Sequence, residues 1–106
     1  MKELWEMLIP LVFNNGEPIT DDYHEKWYQK VRDLAGGLTI YPIAVEGQWV
    51  NPNTHNLYIE RMVPVRIACD YATIHKIADL TVEHYAQEVV MFYKVSDKVF
   101  FHPARP

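Results

Sequence analysis

The chain predicts an α+β fold of the ferredoxin-like, split-βαβ type, and three observations carry that prediction. Segments with strand and helix periodicity follow one another as strand, helix, strand, strand, helix, strand. The pair Gly36-Gly37 stands where a helical pattern stops and a run of β-formers begins. Between Leu57 and Cys69 apolar residues alternate so strictly that one strand with two unlike faces is implied. Right-handed crossovers then place both helices on one face of an antiparallel sheet. The expected order is βαββαβ plus a short C-terminal edge strand, in one domain over residues 1–106.

The first element is a strand within Leu4–Phe13, where Trp5, Met7, Ile9, Leu11 and Phe13 form an apolar face against a mixed face that holds Glu6. A short helix over Lys2–Ile9, stopped by Pro10, is the competing reading. Asn14-Asn15-Gly16 marks a turn, and Thr20-Asp21-Asp22 supplies helix N-caps, with Glu25 three residues after Asp22. Tyr23, Trp27, Val31 and Leu34 then share one face of a helix over 22–35, which Gly36-Gly37 ends.

Leu38–Val50 is rich in strand formers, and the turn-rich Asn51–Asn56 joins it as a hairpin to Leu57–Cys69. In that second strand Leu57, Ile59, Val63, Val65, Ile67 and Cys69 form a face broken only by Arg61, while Tyr58, Glu60, Met62, Pro64, Arg66 and Ala68 form the other. Asp70 caps a second helix that carries Ile74, Ile77, Thr81 and His84 or Tyr85 at helical spacing and runs to about Gln87. Val89–Tyr93 reads as a buried strand, Ser96-Asp97 as a turn and Val99–Phe101 as the short edge strand. Pro10, Pro42 and Pro64 donate no ladder hydrogen bond, so the sheet should be irregular at those positions.

A chain of 106 residues, 49% of them hydrophobic and 13% aromatic, can bury a core without metal or disulfide support. The net charge of −4 comes without any run of Lys or Arg, which argues against nucleic acid as a partner. No stretch approaches the roughly 20 apolar residues that span a bilayer, so no membrane partner is expected. Cys69 stands alone and suits a reducing, cytoplasmic compartment as a small buried side chain.

The spacing Gly36-Gly37-Leu38-Thr39, Gly47-Gln48-Trp49, Glu60 and Tyr85-Ala86-Gln87-Glu88-Val89 resembles a family of small bacterial and phage proteins known as a domain of unknown function. The resemblance covers roughly residues 20 to 101. It implies the ferredoxin-like fold and brings no activity with it. The acidic start Met1-Lys2-Glu3-Leu4-Trp5-Glu6 lacks the leader of the family's secreted branch, so the resemblance implies the cytoplasmic or phage-encoded branch.

None of the five histidines has zinc-site spacing, and no metal or other cofactor is expected. Gly36-Gly37 precedes a strand, the reverse of a phosphate loop, and reads as a helix cap, although two glycines could also admit a ligand near the backbone. Trp49 should pack in the core or at its edge, with Trp49→Ala costing about 3–5 kcal/mol, the alternative being that its ring lines a pocket.

The helix-free face of the sheet is the place to look for function. Glu6, Glu60 and Arg66 should meet there among Leu8, Met62 and Tyr41 or Thr39, and in a face-to-face pair of copies Glu60 and Arg66 should pair across the contact. Two copies packed face to face would make a homodimer. The leading reading is a non-enzymatic module that binds a small molecule or a host protein through this face or through the Gly-Gly and Trp49 rim. The candidate ligand or interface residues are Glu6, Tyr41, Trp49, Glu60, Met62 and Arg66. The alternative is a cofactor-free enzyme of the dimeric α+β barrel type, with Glu60 as general base and Arg66 as anion anchor.

Overall fold

The elements follow as β1 (Glu3–Pro10), α1 (Asp21–Ala35), β2 (Thr39–Ile40), β3 (Val45–Val50), β4 (Leu57–Cys69), α2 (Tyr71–His84) and β5 (Phe92–Ser96) in a computed structural model that describes residues 1–106. All pairings are antiparallel, in the order β2-β4-β1-β5, with β3 continuing along β4 beyond β2. The architecture is the α+β, ferredoxin-like one, with both helices on one face.

Register explains the two faces. Trp5, Met7 and Ile9 of β1 pair with Ile67, Val65 and Val63 of β4, so their side chains share the helix-facing side. They join Trp27 and Val31 of α1 and Ile74, Ile77 and Ala78 of α2 in one buried cluster. The helices are tied beneath the sheet by the Trp27 indole N–H, which donates to Thr81 Oγ1 at 2.9 Å. Trp5 Nε1 donates to the Cys69 carbonyl at 3.1 Å, satisfying the other core indole.

Thr20 caps α1 by accepting from the Tyr23 N–H at 3.2 Å, and Gly36, at φ 85°, closes it by donating to the Arg32 carbonyl. Asp70 caps α2 by accepting from the Thr73 N–H at 2.8 Å, and hydrogen bonding from the Thr73 side chain, with this backbone bond adding to it, lowers the Asp70 pKa. Of the expected α1 face, Trp27 and Val31 are buried, whereas Leu34 is exposed and His24 takes an inner place. Helix α2 ends at His84, earlier than the periodicity suggests, and Ala86 turns the chain with φ 53°.

Three boundaries differ from the expected ones, each for a pairing reason. The run Leu38–Val50 breaks into β2 and β3. The Pro64 carbonyl accepts from Tyr41, so the Pro64 nitrogen faces the same neighbour without a proton to donate, and Pro42 follows in the gap. β1 stops at Pro10, after which Leu11–Ile19 folds into a loop closed by a Val12–Pro18 bridge. The last strand covers Phe92–Ser96, not Val89–Tyr93, because Met7, Glu6 and Trp5 of β1 pair with Phe92, Tyr93 and Lys94. Val89 stays exposed, and the edge strand expected over Val99–Phe101 does not form. The fifth strand comes from the break in Leu38–Val50.

Beyond Met62, which pairs with both Pro10 and Val45, β3 and β4 run on as a two-stranded ribbon without a third strand. The ribbon stretches the molecule to 57 × 29 × 24 Å.

Candidate functional site

Four strands place one side chain each in a row across the helix-free face: Thr39 (β2), Arg66 (β4), Glu6 (β1) and Tyr93 (β5). Direct antiparallel partners share a face, so the row follows from register alone. Arg66 Nε donates to Glu6 Oε1 at 2.9 Å, and the Tyr93 hydroxyl donates to Glu6 Oε2. Both carboxylate oxygens are thereby satisfied, and Glu6 is only 8% exposed although no helix covers it. The bond to Glu6 holds the Arg66 guanidinium above its ordinary pKa, and its Cζ lies 5.1 Å from the Tyr41 ring centroid.

Glu60 takes no part in this network. It lies six positions from Arg66 along β4, about 20 Å at strand rise, and pairs with Gly47 in the ribbon. The partner of Arg66 is set by β1, which ends before it could reach Glu60. Of the six candidate residues, Glu6, Arg66 and Tyr41 come together. Met62 lies where the sheet becomes ribbon, and Glu60 and Trp49 lie on the ribbon itself. Gly47 leaves room for Met62, whose methyl would stand 2.4 Å from an added Cβ.

Trp49 is not core. It is 44% exposed and lies flat on its cross-strand partner Tyr58, with centroids 4.6 Å apart and planes at 16°. This stack forms one wall of a cleft of ≈ 580 Å³ where the ribbon leaves the sheet, with Glu60 and Arg61 beside it and Gln87, Glu88 and Val89 opposite. The loop after β1 supplies Phe13 and Asn14, and Asn14 Nδ2 donates to the Ala86 carbonyl at 2.9 Å, holding the chain just before Gln87 in place. Two of the three sequence motifs, Gly47-Gln48-Trp49 and Gln87-Glu88-Val89, thus meet at one cleft.

Tyr58, Glu88 and Tyr93 were not among the residues singled out as a site. Tyr58 could have been found by its place opposite Trp49 once the hairpin register is known. Tyr93 carries no local signal, since its role depends on pairing with Glu6.

A second polar cluster lies between the helices. His24 Nδ1 is 2.7 Å from the Tyr85 hydroxyl, His84 Nε2 is 2.9 Å from the Tyr23 carbonyl, and the Tyr23 hydroxyl donates to the His84 carbonyl. Burial lowers the pKa of both histidines. Asp21 opposes the shift at His24, and for His84 the Tyr23 carbonyl opposes it while Lys30 and Lys26 add to it. Burial also raises the Cys69 thiol to about 11, which makes it a poor nucleophile. No three His, Cys, Asp or Glu side chains converge as a metal site within the chain, and no helix is long and apolar enough to cross a membrane.

No protein-family model matches the chain, and no curated protein sequence does. Solved structures do match in shape. The divalent cation tolerance protein CutA1 of Thermus thermophilus is 9% identical with a TM-score of 0.68, covering 95% of this chain and 88% of its own. CutA1 of the psychrotrophic bacterium Shewanella sp. SIB1 is 20% identical with a TM-score of 0.66, covering 94% and 84%. A phage SAM lyase in complex with S-methyl-5'-thioadenosine is 13% identical with a TM-score of 0.65, covering 94% and 93%. At these identities the likeness is one of fold.

Proposed function

We propose that this chain is a small-ligand binding module that takes a neutral or cationic adenosyl-type molecule in the cleft between the Trp49–Tyr58 stack and Gln87–Val89. The aromatic stack at the cleft wall carries the reading, because a flat ring surface beside polar groups is what a purine stacks upon. The cleft volume lies within the usual range for small-molecule sites, about 300–1,000 Å³. Glu60 and Glu88 outnumber Arg61 at the rim, which favours a neutral or cationic ligand over a nucleoside triphosphate. The S-methyl-5'-thioadenosine held by the phage SAM lyase, a protein of the same fold, fits that chemistry.

The active form is a homodimer or higher homo-oligomer in the cytoplasm. Leu57, Ile59 and Val50 are exposed on a two-stranded ribbon, and such a ribbon is marginal alone, so a second copy is the natural cover.

Titrating the protein with S-methyl-5'-thioadenosine while following tryptophan emission tests the reading, because Trp5 and Trp27 are buried and Trp49 is the accessible indole. Saturable quenching that disappears in Trp49→Phe and is weaker with ATP supports it. An unchanged spectrum at millimolar ligand removes it. Light scattering on a sizing column checks self-association, and a monomer at micromolar concentration would defeat that part.

A second reading is favoured by Glu60 beside the same stack. In it the chain cleaves a sulfonium-bearing adenosyl substrate by elimination: Glu60 takes a proton from the carbon beta to sulfur, the C–H pair forms a carbon–carbon double bond, and the C–S bond breaks with its pair left on sulfur, releasing S-methyl-5'-thioadenosine and an unsaturated amino acid. Incubation with S-adenosylmethionine, followed by chromatography for that product, separates the two readings. Glu60→Gln abolishes turnover in an enzyme and leaves the fold intact.

A further inference from the structure

The helix-free face holds a second cavity, at the opposite end of the sheet from the Trp49 cleft. It measures ≈ 340 Å³ and lies between the Thr39 and Arg66 strands, the Gly36-Gly37 connection and the C-terminal residues Val99 and Phe101. We propose that it binds a small organic carboxylate carrying an apolar body.

Charge is the first reason. Lys2 and Arg66 are the only charged residues lining the cavity, and although Glu6 pairs with Arg66 from behind, Lys2 leaves this wall with a net positive charge in a chain of net charge −4. Preorganisation is the second. Glu6 engages Nε of Arg66, while its two terminal nitrogens make no hydrogen bond within the chain. The guanidinium is thus fixed in place by Glu6, which Tyr93 holds from the other side, and by the Tyr41 ring, with a two-donor edge left over. Such an edge matches the two oxygens of a carboxylate. Lys2 makes no ion pair, and its Nζ lies 5.3 Å from the Phe101 ring centroid beside the same cavity.

The remaining lining fits the other end of such a ligand. Leu4, Leu38, Val99 and Phe101 offer apolar surface, and Thr39 adds a hydroxyl next to Arg66. Gly36 and Gly37 line the cavity with backbone alone, and a Cβ added to either would meet no atom within 4 Å. The volume is near the lower end of small-molecule sites, room for a short acid rather than a nucleotide.

The test uses the full chain, labelled with ¹⁵N and titrated with hexanoate, hexan-1-ol and inorganic phosphate. Hexanoate should give saturable shifts at Gly36, Gly37 and the Arg66 Nε–H, without moving the Trp49 indole. Lys2→Gln leaves the Glu6–Arg66 pair intact and should weaken hexanoate binding about tenfold, the scale of one charged hydrogen bond. Arg66→Lys keeps the charge but loses the fork, and should weaken it further while the spectrum stays dispersed. Equal shifts with hexan-1-ol, equal saturation with phosphate, linear shifts without saturation, or unchanged affinity in Lys2→Gln would each overturn the assignment. Carboxylate binding here is independent of the Trp49 cleft, since a ligand there is read by a different reporter.

Discussion

Thr81→Val tests the arrangement on which both candidate sites depend, the packing of α1 and α2 on the same side of the sheet. Thr81 and Trp27 are both fully buried, and the indole N–H has Thr81 Oγ1 as its acceptor. Valine matches threonine in shape, so the substitution opens no cavity, but it leaves a buried donor without a partner. An orphaned donor costs about 1–3 kcal/mol, and the extra buried methyl returns up to about 0.8 kcal/mol. The net loss should be about 1–2 kcal/mol. At about 4–8 °C per kcal/mol for a domain of this size, Tm should fall by roughly 5–15 °C. Urea unfolding followed by circular dichroism supplies the free energy. A double-mutant cycle with Trp27→Phe then isolates the Trp27–Thr81 coupling from the cavity that the smaller ring leaves. A Thr81→Val protein as stable as the parent, or a cycle with no coupling, would mean that the two helices do not meet through this bond.

Trp49→Ala should cost only about 1–2 kcal/mol, from one aromatic stack and a half-covered ring, while abolishing quenching by S-methyl-5'-thioadenosine; a loss of 3–5 kcal/mol in urea would restore the core assignment. Gly36→Ala places a Cβ at φ 85° and should lower stability by about 1–2 kcal/mol, whereas Gly37→Ala should be milder, a contrast read by the urea midpoint. His24 and His84 have folded-state pKa values below the ordinary 6.5, so the unfolded chain binds more protons in that interval. Stability from these two groups is therefore complete above about pH 6.5 and declines as the pH falls from there towards their folded values. A His84→Gln protein should show a shallower fall in urea midpoint between pH 7 and 5.

Helix ends, turns and strand faces were legible because each rests on residues near one another in the chain. Gly36 closes α1 through its left-handed backbone, Asp70 caps α2, and the alternation from Leu57 to Cys69 already separates Val65, Ile67 and Cys69 from Arg66 and Glu60. Period-2 and period-3.6 patterns need no knowledge of partners. They placed Glu6 and Arg66 on the helix-free side before any pairing was known.

Partners across the fold were another matter. Glu6 and Glu60 are equivalent carboxylates on the same face by pattern, and only the antiparallel register of β1 against β4 gives Arg66 to Glu6. The proline nitrogens of Pro42 and Pro64 could be read as sheet defects, yet that they split one strand and send the next out as a ribbon depends on where β2 ends. Trp49 meets Tyr58 and the segment after α2 only because that ribbon passes the end of the sheet. Local propensity and periodicity are written into neighbouring residues. Register between segments some 60 positions apart is chosen by the burial of Trp5, Met7, Ile9, Val65 and Ile67 together, an energy that exists only once the chain has folded.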